Sequence, residues 1–324
     1  MSPRSGAIDA VRVLGIVAVV AGHTLNTPLV RPLFFTWHVP LFFFLAGYFW
    51  SDAAMREDLA KRAQTLGRPY VTWLVLIAVP FVLLDRQPTT DRLLGPFHDG
   101  TRSAMPYTTF WFVSALFFTV ILLRVLQVFP LSVRWGIATA GLTLGYFAGG
   151  TLAQTPLAIG SALPCLFFVL LGTVAAGFRP RLRRPGVVGL ALLAMSATLI
   201  AGGLAAPLDI KVGNYGTPVL SVLVSVSIAF GLILTMETLF RHVPDAVGGA
   251  ATRLATAGFI VVLSHPLILW LMIKFFPSVP DWEVFALAVV VPWFVGLISV
   301  RSAASPWLTG FPHRSPRVPI PMPN

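Results

Sequence analysis

Apolar runs of about 20 residues recur along this chain with only short polar breaks, and that pattern leaves few folds open. A helix rises about 1.5 Å per residue, so a run of this length crosses a hydrocarbon layer of about 30 Å. Such runs fall at 8–26, 35–51, 69–84, 109–128, 133–150, 155–177, 186–207, 217–240, 254–275 and 283–300. They predict an all-α, polytopic integral membrane protein with about ten transmembrane helices. Only 11% of the 324 residues are charged, against about 25% in soluble domains, which excludes a soluble globular chain. The membrane domain is expected over 1–300. The Pro-rich stretch 301–324 is expected to be a disordered cytoplasmic tail.

The net charge of +11 could suggest a nucleic-acid partner, but multi-pass proteins concentrate Lys and Arg in their cytoplasmic loops. With the N-terminus inside, most of the 23 Lys and Arg residues fall on the cytoplasmic side. Both termini are therefore expected in the cytoplasm, the protein in the cell membrane with the bilayer as its partner, and nucleic acid is excluded. The first run reads as a retained span rather than a cleaved leader, because it is short, carries Arg12 at its edge and is followed by many others. Cys165 is the single cysteine, so no disulfide forms within the chain. No spacing of His, Cys or carboxylates typical of a metal centre appears, and no metal is expected.

The first hairpin, residues 7–50, breaks the apolar pattern with an acid (Asp9), an arginine (Arg12) and two histidines (His23, His38). Ionisable groups inside a membrane helix are costly and mark functional sites. Arg12 and His23 are eleven residues apart, about three turns plus 20°, so they leave the same helix face roughly 16 Å apart. Asp9 is at i−3 from Arg12 and can pair with it. Trp111 and Ser114 open the fourth span, and His265 falls near the middle of the ninth. Each has a plainer role open to it: an aromatic-belt residue, a helix-packing hydroxyl, and a buried kink with Pro266.

The hairpin resembles the membrane-bound acyltransferase family 3, in its branch related to fucose 4-O-acetylases. The likeness rests on the Arg12-to-His23 spacing and on FTWHVPLFFFLAGYFW, which carries His38, Pro40 and Gly47. TFWFVSALFF in the fourth span, VVLSHPLIL in the ninth and KRAQTLGRPY before the third add to it more weakly. The last of these matches the family's paired arginines only approximately, through Arg62 and Arg68. The resemblance implies ten spans and transfer of an acetyl or related acyl group, from acetyl-CoA as acyl donor, to a hydroxyl of a sugar, glycan or other carbohydrate-bearing acceptor.

Acyl transfer to a hydroxyl needs a base, a hold on the anionic donor and a partner for the oxyanion. His23 is expected to be the base or a transient acyl carrier, and His38 to orient it or donate to the oxyanion. Arg12, steadied by Asp9, and Arg62 and Arg68 are expected at the donor phosphates. Trp111, Ser114 and His265 are expected at the substrate. The rival classes are a transporter or flippase of a glycoconjugate, which would also place polar residues inside a bundle, and a non-catalytic CoA-binding relative.

Overall fold

A computed structural model describes residues 5–85 and 90–312. Among the described residues the chain is helical, with no strand. Thirteen α-helices follow in order: α1 (Gly6–Thr24), α2 (Pro40–Tyr48), α3 (Met55–Arg62), α4 (Arg68–Leu84), α5 (Thr90–His98), α6 (Phe110–Leu126), α7 (Leu131–Ala153), α8 (Ala162–Phe178), α9 (Pro185–Ala201), α10 (Leu220–Leu239), α11 (Asp245–Phe275), α12 (Asp281–Ser299) and α13 (Ser305–Leu308). Among the described residues, six stretches are long and apolar enough to cross a membrane: Gly6–Thr24, Met55–Leu84, Pro156–Arg181, Leu220–Leu239, Asp245–Phe275 and Asp281–Ser299. Phe110–Leu126 and Pro185–Ala201 are apolar but shorter. Large apolar side chains face outward, Phe147 being 87% exposed and Leu83 76%. Exposed apolar surface on this scale marks a lipid-facing wall. The architecture is that of a multi-pass membrane protein.

Three elements depart from the sequence expectation. The second run, expected as one span over 35–51, holds only the nine-residue α2. A π-helical turn, Arg31–Phe35, precedes it, and Pro40 starts α2 at the first helical position, where a missing N–H costs nothing. Helix α11 starts at Asp245, well before the expected 254, and runs for 31 residues. Its first turns, DAVGGAATR, are rich in Gly and Ala and carry Asp245 and Arg253, so they precede the strongly apolar stretch. Of the segment expected to be a disordered tail, residues 301–312 are described and include α13, which packs on α4. The Trp73 indole N–H donates to the Leu308 carbonyl at 3.0 Å, and the Arg68 guanidinium lies over the Trp307 ring. Residues 313–324, with Arg314 and Arg317, lie outside the described residues, as do Arg4 and Arg86.

Helix α1 runs through the middle of the bundle against α11, α10 and α12. Helix α2 crosses α8 so closely that a Cβ on Gly47 would overlap the Val169 carbonyl, and one on Gly172 would overlap that of Phe44. Small residues allow such approach where lipid supplies no hydrophobic drive. Just beyond the C-terminal end of α2, Arg124 is 4% exposed. It donates to Asp58 at 3.1 Å and to the Ala53 and Ser51 carbonyls, and it lies over the Trp50 ring.

Proline fixes the join between α6 and α11. Pro266 cannot donate to the carbonyl four residues back, which belongs to Val262. The Thr109 hydroxyl, just before α6, donates to that carbonyl instead at 2.8 Å. Beside this join, the segment 202–219 between α9 and α10 folds over the end of the bundle. Asp209 and Asn214 exchange backbone hydrogen bonds of 2.8 and 2.9 Å. Gly213 has φ +75° and abuts the backbone of Gly149 in α7.

Candidate active site

At the end of the bundle toward which α1 runs, the last turn of α1, the turn before α2, the start of α6 and segment 202–219 enclose a cavity of about 250 Å³. His23, His38, Trp111, Thr108, Lys211 and Asp209 are among its lining residues. The apolar share of the wall includes Phe35, Phe42, Phe112 and Val262.

Hydrogen bonds to carbonyls fix which imidazole nitrogen carries the proton, since a carbonyl only accepts. His38 Nδ1 lies 2.6 Å from the Phe34 carbonyl, so Nδ1 is protonated and Nε2 keeps its lone pair. His265 Nδ1 lies 2.8 Å from the Val261 carbonyl, so its Nε2 is an acceptor. That acceptor faces His23 Nδ1 at 3.4 Å. His23 Nδ1 also sits 2.8 Å from the Val19 carbonyl, and its proton is shared between the two. His23 Nε2 therefore has a free lone pair beside the cavity. Every imidazole in the cluster uses the carbonyl four residues back on its own helical turn, which holds the ring without any carboxylate.

This arrangement suits proton abstraction. When His23 takes a proton at Nε2, the imidazolium Nδ1–H binds the waiting His265 acceptor more strongly. His265 is fully buried and does not line the cavity; it stands behind His23, with ring centroids 5.2 Å apart. The ring that touches His23 is thus His265 rather than His38, whose nearest ring is Phe35 at 5.0 Å.

The other expected site residues divide. Trp111 lines the cavity. Ser114, one turn further on, spends its hydroxyl on the Phe110 and Trp111 carbonyls. Arg12 pairs with Asp9 at 2.6 Å and lies over the Phe49 ring at 5.0 Å. Arg12 lies against the end of α2 through Phe49, whereas His23 meets His265 of α11, and Arg12 does not line the cavity. Arg62 pairs with Asp58 at 2.9 Å, and Arg68 is stacked on Trp307; neither lines the cavity.

Three charged cavity residues were not expected from the sequence. Arg31 and Asp209 form an ion pair of 3.1 Å. Lys211 Nζ donates to Thr108 Oγ1 at 2.6 Å and to the Ser103 carbonyl at 2.8 Å. The one sequence signal is the Asp-Ile-Lys triplet in a break between apolar runs. Burial holds the Lys211 ammonium down to about 8, against the opposing pull of Asp209.

A second, larger cavity of about 960 Å³ opens at the opposite end of α1. Arg179, Arg241, Arg253, Glu237 and Asp245 contribute its charged lining, and Arg179 pairs with Glu237 at 2.5 Å. Its volume is at the upper end of the range of small-molecule pockets, roughly 300–1,000 Å³.

The family model described as "Acyltransferase domain" matches residues 5–303. A curated relative, Nodulation protein NolL of Mesorhizobium japonicum, is 30% identical over 171 residues, which is 48% of this chain and 44% of that protein. The chain thus spans under half the length of that relative. No solved structure is significantly similar. Since the family model covers almost the whole chain, the protein belongs to the membrane-bound acyltransferase family 3.

Proposed function

We propose that this protein is an O-acyltransferase of the cell membrane that moves an acetyl or related acyl group from acetyl-CoA to a hydroxyl of a sugar, glycan or glycosylated metabolite. Family membership supports acyl transfer, and the likeness of the first hairpin to the fucose 4-O-acetylase-like branch supports the carbohydrate acceptor. The observation that carries the proposal is the free Nε2 of His23 at the cavity, backed by the His265 acceptor 3.4 Å from its Nδ1. His23 Nε2 removes the acceptor hydroxyl proton, and the oxygen attacks the thioester carbonyl. The resulting oxyanion collapses, the C–S bond breaks, and the departing thiolate takes from His23 the proton that came from the acceptor hydroxyl. Products are an ester and a free thiol.

The donor enters from the Arg12 end of α1. Arg12, Arg62 and Arg68 are the proposed contacts of its phosphates. Arg12 is steadied by Asp9 and Arg62 by Asp58, each through one nitrogen, so their guanidinium groups retain N–H donors. The acceptor reaches the histidine end, where Trp111 offers an aromatic face. The chain crosses the membrane ten times with both termini in the cytoplasm. Residue 214 should then react with an impermeant maleimide from outside, and residue 183 only after permeabilisation, in Asn214→Cys and Arg183→Cys variants.

The test is thiol release from acetyl-CoA by the purified full chain, with a panel of methyl hexosides as acceptors. His23→Ala should lower turnover by about 10²–10⁴-fold while the protein remains folded. Undiminished turnover in that variant would refute the assignment. Movement of a glycoconjugate across vesicles without thioester cleavage would favour a transporter.

A further inference from the structure

Segment 202–219 brings Lys211 against the histidine cavity. Two of its three ammonium protons are used, by Thr108 Oγ1 and the Ser103 carbonyl; the third is unassigned. Among the described residues Lys211 forms no ion pair. Asp209, two residues away, is turned to Arg31 instead. Asp209 acts on Lys211 only at a distance, and a partly buried cation with no carboxylate in contact is incompletely compensated. Anchoring segment 202–219 to Thr108 and Ser103 does not need that charge, because a neutral donor would serve. The complement of the ammonium is therefore sought among species that appear in the cavity. Acyl transfer generates one there: the oxyanion of the tetrahedral intermediate.

We propose that Lys211 is a further catalytic residue, whose ammonium, aimed by Thr108 and Ser103, stabilises the oxyanion while His23 handles the proton. The inference rests on the acyl-transfer reading above. It completes a division of labour the histidines cannot manage alone, because His23 and His38 both offer Nε2 lone pairs and no donor to the cavity. Formation of the C–O bond places negative charge on the former carbonyl oxygen beside Lys211. Cleavage of the C–S bond removes it, and Lys211 stays protonated throughout.

The titratable and charged groups facing Lys211 are His23 from α1, His38 and Arg31 from the hairpin, and Asp209 from its own segment. Helix α6 and the residues just before it present Thr108, Thr109 and Trp111. Asp99, near Thr101, is engaged by Thr101 and Arg102. With the ammonium held down to about 8 by burial, activity that needs the cation is full below that pH and lost above it.

The experiment is thiol release from acetyl-CoA, with the same hexoside panel, by the full chain in detergent across pH 6–10. Wild type should lose activity on an alkaline limb near pH 8. Lys211→Met should lower kcat by about 10²-fold or more and leave KM for acetyl-CoA unchanged. Lys211→Arg keeps a cation at every pH tested and should remove the alkaline limb. A wild-type kcat in Lys211→Met, an effect confined to acceptor KM, or an unmoved limb in Lys211→Arg would each overturn the proposal. Should Lys211→Met fail to fold, the Lys211→Arg profile decides. Wild-type thiol release that His23→Ala abolishes establishes the parent reading separately, so a failure at Lys211 is not mistaken for a failure at His23.

Discussion

His265 holds its position without touching the cavity. Its Nε2 accepts from His23, and its own Nδ1 is anchored to the Val261 carbonyl. Removing it should leave His23 with the Val19 carbonyl alone, free to rotate or to exchange tautomers. His265→Ala is expected to lower kcat by about 10²-fold, at the low end for general-base contributions, with little change in KM. Steady-state kinetics on the folded variant would check this. Asp9, Arg12, His23 and His38 are legible in the sequence because an ionisable residue in an apolar run stands out and helical spacing sets its face. His265 is legible as a residue but not as a partner, since nothing local says that its ring meets one 242 positions away. Lys211 is legible only as one member of the Asp-Ile-Lys triplet between two apolar runs. A lysine in a loop carries no periodic signal, and its place depends on contacts with Ser103 and Thr108, more than 100 residues distant.

Among the elements, helix–helix joins rather than helices decide the site. The carbonyl that Pro266 leaves free on Val262 is met by Thr109, and this bond sets the start of α6, with Trp111, against α11. Thr109→Val removes the donor and keeps the shape. It should cost about 1 kcal/mol, since interhelical hydrogen bonds in membranes average below that but this variant also orphans a buried carbonyl. Reversible unfolding in mixed micelles would measure it. Apolar runs reveal where helices lie because hydropathy reports on lipid contact. They do not reveal that α2 is short, because Pro40 acts as a start only once the π-helical turn before it is seen. They also miss the early start of α11, whose first turns are Gly- and Ala-rich between Asp245 and Arg253 and so weakly hydrophobic. The crossing of α2 and α8 is hinted at by Gly47 and Gly172, but a glycine alone does not name its neighbour.

For the whole molecule, α1 supports both cavities: its first turn borders the arginine-lined one and its last turn the histidine-lined one. A bundle that rocked α1 against α11 would pull His23 from His265. Cross-linking α1 to α11 should therefore be tolerated by the proposed acyl transfer.

The pairing of His23 with His265 also bears on how the protein comes into being. A ribosome delivers Arg12, His23 and His38 early, yet the proposed base stays unbraced until α11 has been inserted beside α1. Nascent chains ending before residue 265 should be inert even with the whole first hairpin in place. Two fragments divided at residues 240–244 and co-expressed should regain thiol release once both reach the same bilayer, whereas either half alone should show none.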